Sequence, residues 1–191
     1  MIGYLRGKVV EVNGNQVVLD VNGVGYLVSV PASLASALLV HAGEEARLQI
    51  HTQVGENVLA LYGFESRAQM EFFLMLTTVD GVGPKGALAI LGAGSLDEVK
   101  GAVAGSNTDF FKKVRGVGPK TLPKLFVDLA PKLKAEGVKP VRSGIEAQVE
   151  DTLLVLGFSR DQVKAAMTAV DWASKPNAET AVQAALSALH H

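Results

Sequence analysis

The chain has no cysteine, which excludes disulfides and takes thiolates out of any metal site. No stretch approaches the roughly 18 apolar residues of a membrane-spanning helix. The opening Met1-Ile2-Gly3-Tyr4-Leu5-Arg6 lacks the charged segment and apolar run of a secretory leader, so a cytoplasmic location without membrane contact is expected. The four histidines, His41, His51, His190 and His191, show no ligand spacing, and neither metal nor cofactor is expected. Aromatic residues are scarce at 6%. In the first third they are Tyr4, Tyr26, Tyr62 and Phe64, too few to suggest a platform on which unpaired bases would stack. The remainder is apolar enough to bury cores: 48% of the 191 residues are hydrophobic, and mean hydropathy is +0.26.

One device occurs twice. Gly81-Val82-Gly83-Pro84-Lys85 returns 35 residues later as Gly116-Val117-Gly118-Pro119-Lys120, with Val79 and Val114 two places ahead of the copies. Helical patterns flank both, so each reads as helix, tight turn, helix. The second helix is expected to start at Pro84 or Pro119, because proline suits a first turn where its missing N–H is not needed. Glycines let a ligand approach the main chain, and free N–H groups at a helix start attract anions. Lys85 and Lys120 add full charges. Two such turns suit two phosphates of a nucleic-acid backbone, with Gly81, Gly83, Lys85, Gly116, Gly118, Lys120 and Lys124 as the contact residues. Gly81-x-Gly83-x-x-Gly86 also fits a dinucleotide fingerprint, but that motif follows a strand, whereas Ser66 to Val79 reads as a helix and the second copy has Thr121 in place of the third glycine. Gly116 to Thr121 is similarly close to an NTPase phosphate loop, but with the wrong spacing.

The net charge of -1 conceals a gradient. Lys112, Lys113, Arg115, Lys120, Lys124, Lys132 and Lys134 cluster around the second turn with Asp128 as the one acid between residues 110 and 134, the footprint expected of phosphate binding.

The pattern predicts a multidomain α+β chain. Residues 1–63 read as a five-stranded, oligonucleotide-binding-like β-barrel, with strands at Ile2 to Val12, Gln16 to Val21, Gly25 to Val30, Arg47 to Val54 and Val58 to Phe64, and a short helix over Pro31 to Val40. Residues 64–135 read as five short helices, started by Ser66…Gln69, Ser95…Glu98 and Thr108 and sharing an apolar core; Pro123 falls in the last. Residues 136–145 read as a flexible linker. Residues 146–191 read as a three-helix bundle over Glu146 to Leu156, Arg160 to Ala173 and Ala178 to Leu189, with a capping box at Ser159…Gln162 and Leu153, Leu156 and Phe158 as candidate docking anchors or core. At the tip of the last barrel hairpin stands Glu56, followed by Asn57, a carboxylate that should repel phosphate.

Taken in order these parts resemble the RuvA family, subunits of the Holliday-junction branch-migration complex. The resemblance covers the whole chain and rests on Met1-Ile2-Gly3-Tyr4-Leu5-Arg6-Gly7, Gly23-Val24-Gly25-Tyr26, Leu61-Tyr62-Gly63-Phe64, Ala87-Leu88-Ala89-Ile90-Leu91 and the two glycine turns. It implies tandem helix-hairpin-helix motifs that grip minor-groove backbone, and a homotetramer, or octamer on DNA, holding a four-way junction open by its structure. It further implies a third domain that recruits the hexameric RuvB ATPase, an indirect link to the RuvC resolvase, and no catalytic residue in the chain itself. Glu56 would be the acidic pin of that family. Two departures stand out: the pin often has two adjacent acids where Asn57 follows Glu56, and the second hairpin often has paired lysines and an acidic-arginine pair where this chain has Pro119-Lys120 and Pro123-Lys124.

Two other classes remain open. A DNA-cutting enzyme would need carboxylates grouped near the basic region, and Asp80, Asp97, Glu98, Asp109 and Asp128 show no such constellation. A protein-interaction adaptor is the other, since Leu156-Gly157-Phe158 in the last bundle also resembles ubiquitin-associated domains.

Overall fold

Along β1 (Tyr4–Asn13) every second residue from Leu5 to Val9 faces inward, and this period-2 alternation lets one face of a sheet become a core. The strands β2 (Gln16–Val21), β3 (Val24–Ser29), β4 (Glu45–Gly55) and β5 (Val58–Phe64) complete a closed barrel in the order β1-β2-β3-β5-β4. All neighbours are antiparallel except β3 and β5, whose parallel pairing (Val28 with Leu61, Ser29 with Tyr62) closes the cylinder. The computed structural model describes residues 1–55, 58–118, 120–142, 144–174 and 177–189. Between β2 and β3 the turn Asn22-Gly23 is held by the Gly23 N–H donating to Asp20 Oδ1 at 2.7 Å. Helix α1 (Ala32–Val40) lays Leu34, Ala35 and Leu38 against a core of Val17, Leu19, Val28, Leu48 and Ile50.

Five helices follow: α2 (Arg67–Thr77), α3 (Pro84–Leu91), α4 (Leu96–Ala104), α5 (Thr108–Phe111) and α6 (Thr121–Ala135). Their core joins Phe72, Phe73 and Leu76 of α2 to Leu88 and Leu91 of α3, Phe111 of α5, and Leu125, Leu129 and Leu133 of α6. Phe64, the last residue of the barrel, belongs to this helical core and lies 4.9 Å from Phe73 between ring centres. Barrel and helices thus belong to one compact unit, Met1–Val141.

Several local expectations are corrected. Ser66 accepts from the Gln69 N–H at 3.2 Å, but Gln69 Oε1 reaches back to the Glu65 N–H and not to Ser66, so the expected reciprocal box is shifted by one residue. The cap of α5 is Asn107, whose side chain accepts from the Phe110 N–H, and Thr108 is the first helical residue. Helix α6 is described from Thr121, and Pro119, where its start is expected, lies outside the described residues; the first bonds of the ladder, from Thr121 and Leu122, end on the Gly118 carbonyl. Pro123 occupies its first turn, while Pro131 lies inside the helix.

The stretch read as a flexible linker is anchored over much of its length. Val138 packs against the helical core and the Val141 N–H donates to the Gly101 carbonyl at 2.8 Å. This strap lies so close to α4 that a Cβ on Gly105 would stand 2.4 Å from the Val141 carbonyl oxygen. Gly101 and Gly105, one helical turn apart, clear the track it occupies.

The second compact unit is Arg142–His191. Helices α7 (Gly144–Val155), α8 (Arg160–Ala169) and α9 (Ala178–Leu189) enclose Val149, Leu153, Val163, Met167, Ala181 and Ala185. The capping box at Ser159 and Gln162 starts α8. That helix ends at Ala169, four residues before the expected Ala173: Val170 turns extended and buried, and the Trp172 indole N–H donates to the Met167 carbonyl, satisfying one terminal acceptor that a further helical turn would have used.

Candidate nucleic-acid interface

The two glycine turns adopt matching backbones. Gly81 has φ +85° and Gly116 has φ +86°, a left-handed conformation that strains any residue with a Cβ. The valines around them fasten each turn to the core: Val79 and Val82 are buried, and Val114 and Val117 are packed against the same cluster. Gly83 is then extended (φ -80°, ψ 174°), as a residue before proline must be. Its carbonyl accepts from the Ala87 N–H at 2.9 Å, and the Gly118 carbonyl accepts from the Leu122 N–H at 3.3 Å, the same bond 35 residues on.

The turns also meet each other reciprocally. A Cβ on Gly81 would stand 3.5 Å from Thr121 Oγ1, and one on Gly86 would stand 3.7 Å from the Gly116 carbonyl oxygen. Each turn therefore rests on the start of the other's second helix. In contrast, a Cβ on Gly83 or Gly118 would meet nothing within 4 Å. At these two positions the main chain is bare toward open space, beside a helix start whose N–H groups favour an anion. Lys85 and Lys120 are exposed at the matching places beyond, and among the described residues neither is paired with a carboxylate.

Lys124 stands differently. Its ammonium donates to the Asp80 carboxylate in a short ion pair that ties α6 to the first turn. This hydrogen bond, and then the Coulomb attraction, holds the Asp80 carboxyl below the usual carboxylate range and raises Lys124 above its ordinary value. The position matching Asp80 in the second copy is Arg115, and that matching Lys124 is Ala89, so the tie exists on one side only. In the sequence Asp80 is only one of the scattered acids near the basic region, with nothing to mark it as the partner of a lysine 44 residues away.

Two of the other acids near the basic stretch are engaged as well. Asp109 pairs with Lys112. Glu98 caps α4 by accepting from the Ser95 N–H at 2.8 Å, and hydrogen bonds from the Ser95 backbone and then its hydroxyl hold its pKa down. Among the described residues no three histidine, aspartate or glutamate side chains are grouped to hold a metal ion, and no described helix is long and apolar enough to cross a membrane.

The remaining expected site residues divide. Glu56 and Asn57 lie outside the described residues. Leu153 is a core residue with no exposed surface, so it is unavailable for docking: in α7 it points down with Val149 into the bundle. Phe158 is half-buried against the same core. Leu156 is 57% exposed, and its neighbour Val155, which no sequence signal distinguishes, is 87% exposed.

A closed five-stranded barrel leading into two reciprocal helix-hairpin-helix turns with bare glycines and flanking lysines defines a DNA-binding protein. Two family models match: the RuvA N terminal domain over residues 1–63 and the SAM-like helix-hairpin-helix tandem over residues 73–130. Proteins named Holliday junction branch migration complex subunit RuvA are similar along the full length. The relative from Symbiobacterium thermophilum is 37% identical over 100% of this chain and 99% of its own; those from Herpetosiphon aurantiacus (35%, 97% of each chain) and Chlorobium luteolum (36%, 100% of each) agree. The chain belongs to the RuvA family.

Proposed function

We propose that this protein binds four-way DNA junctions by their backbone, as a non-catalytic tetrameric scaffold that holds the junction open for a separate motor. The observation that carries the reading is the pair of bare glycines, Gly83 and Gly118, each beside an exposed lysine and set in turns that rest on one another. Contacts of this kind position a duplex without reading its bases, which suits recognition of a branched shape. No bond is broken by the chain itself. Three of the five carboxylates near the basic stretch are committed instead to the Asp80 and Asp109 ion pairs and the Glu98 cap, and among the described residues no acids are grouped to hold a metal ion.

Other features support the assembly. Tyr4, Val24 and Leu27 are more than half exposed on the outside of the barrel, apolar surface of the kind that contact between barrels would cover. Four barrels around one centre would bring four Glu56 tips together, where their charge would push phosphates apart. Two such tetramers would enclose a junction as an octamer. Val155 and Leu156, at the end of α7, form the apolar face to which a RuvB-type hexameric ATPase would dock; the RuvC resolvase would meet the complex only through the junction DNA. The location that fits this work is the bacterial cytoplasm.

The test is a gel-shift titration against a synthetic four-way junction and a linear duplex of the same sequence. Strong preference for the junction is expected, together with loss of motor stimulation, but not of junction binding, in Leu156→Asp. Equal affinity for both DNAs would sink the scaffold reading.

A further inference from the structure

A cleft of about 270 Å³ lies between the barrel and the first glycine turn, lined by His51 and Gln53 of β4, Phe73 and Thr77 of α2, and Gly83 with its neighbours. Among its polar groups His51 and Thr77 are half-buried and Gln53 is exposed. The His51 ring is stacked on Tyr62 (centres 6.3 Å apart, planes 25° from parallel) and lies 6.0 Å from Phe73, so aromatic packing restricts its orientation. Among the described residues neither the His51 ring nitrogens nor the Gln53 amide has a hydrogen-bond partner in the protein. The Thr77 hydroxyl already donates to the Leu74 carbonyl at 2.8 Å. Among the described residues no carboxylate lines the cleft. A concave site that presents unpartnered N–H donors and no negative charge is suited to an anion, and one of its walls is the bare backbone at Gly83.

We propose that His51 and Gln53 form a second phosphodiester-binding position, next to the one at Gly83 and on the same DNA strand. This rests on the reading of the glycine turns as a phosphate grip, and extends it: the barrel touches DNA directly through polar side chains, and the first turn holds more of the strand than its own motif supplies. The volume corresponds to roughly nine waters' share of liquid, room for one phosphate group and bridging solvent. Binding here is a matter of hydrogen bonds in place of water, so no bond or proton transfer is involved.

The test uses the full-length protein and a fluorescein-labelled linear duplex, titrated by anisotropy at several salt concentrations. Four variants are compared: Gln53→Leu, which removes the amide without changing charge; His51→Phe, which keeps a stacking ring; Gln53→Lys, which adds a charge; and Lys120→Ala, remote from the cleft but in the second turn's grip. Hydrogen bonds to a charged group predict that Gln53→Leu and His51→Phe each weaken binding about tenfold, with the thermal midpoint of each measured alongside to show an intact fold. Gln53→Lys should tighten binding and steepen the slope of log affinity against log salt by about 0.9. If the three cleft variants bind within twofold of the unaltered chain while Lys120→Ala weakens binding, the cleft is no phosphate position and the glycine-turn grip stands without it. Should Lys120→Ala have no effect either, both readings fall together.

Discussion

Replacing Gly81 and Gly83 by alanine, one at a time, should separate two quantities that a shared motif would lead one to expect to move together. Gly81 sits at φ +85° with only ordinary contact to Thr121. Its alanine variant therefore suffers conformationally, by about 1–2 kcal/mol for a left-handed residue with a Cβ. For a chain of this size that lowers the thermal midpoint by roughly 2–8 °C. Gly83 is extended at φ -80°, and a Cβ there meets no atom of the protein. Alanine is a poorer N-cap than glycine, but it also restricts the unfolded chain, an opposing gain of about 0.4–1 kcal/mol. The midpoint should hardly move. The new methyl group stands, however, where a phosphate would approach the helix start. Loss of a charge-assisted hydrogen bond is about 1.5–3 kcal/mol, or roughly a ten- to hundredfold weaker Kd for duplex or junction DNA. Scanning calorimetry gives the first quantity and anisotropy titration the second. If Gly83→Ala melted as early as Gly81→Ala, or bound DNA as tightly as the unaltered chain, the bare turn would not be the phosphate site.

Other outcomes follow from single contacts. Asp80→Asn frees Lys124 from its ion pair, so DNA binding should tighten and its salt slope grow by up to about 0.9; unchanged binding would show that Lys124 faces away from DNA. Because the pair lowers the Asp80 pKa, its stabilisation is complete above the ordinary carboxylate range and is lost as pH falls through the depressed value. The raised Lys124 pKa keeps the pair intact until pH climbs through that value at the alkaline end. Midpoints of the unaltered chain and Asp80→Asn should thus differ by a constant amount near neutrality and converge in acid. Lys85→Ala and Lys120→Ala should each reduce the salt slope by about 0.9, and the double variant by about twice that, measured by titration across salt. Gly105→Ala places a methyl against the Val141 carbonyl; a destabilisation of about 1–3 kcal/mol is expected in chemical denaturation, with faster proteolysis near residue 141 and unaltered DNA affinity.

The barrel was legible because alternation is local: residues 1–63 announce five strands and their turns. Its closure was not, since pairing β3 with β5 in parallel depends on residues far apart in sequence. The glycine turns were legible because the motif repeats and its first glycine answers a backbone demand, the left-handed φ of Gly81 and Gly116. What charge alone could not reveal is who else claims it: Lys124 was counted with the free phosphate binders, yet Asp80 holds it. Leu153 and Leu156 look alike in a helical pattern, spaced as residues of one face are, but α7 ends at Val155, so Leu153 stays in the core while Leu156, just past the end, is exposed. The expected linker carries Gly137 and Pro140 and has no apolar periodicity, and nothing local shows that Gly101 and Gly105 make room for it.

The reciprocal rest of the two turns has a geometric consequence. Shifting the contact of Gly81 with Thr121 by 35 residues gives that of Gly116 with Gly86, so these contacts exchange as a local pseudo-two-fold axis would exchange them, with the Asp80–Lys124 pair outside that symmetry. A B-form duplex has such an axis through every base pair, because its strands run in opposite directions. A grip with its own dyad can be superposed on each of these in succession, and in the proposed role no base edge distinguishes one from the next. The duplex can then advance by single base-pair steps of about 3.4 Å between equivalent seats, so that a motor pulling on it climbs no sequence-dependent staircase set by this protein.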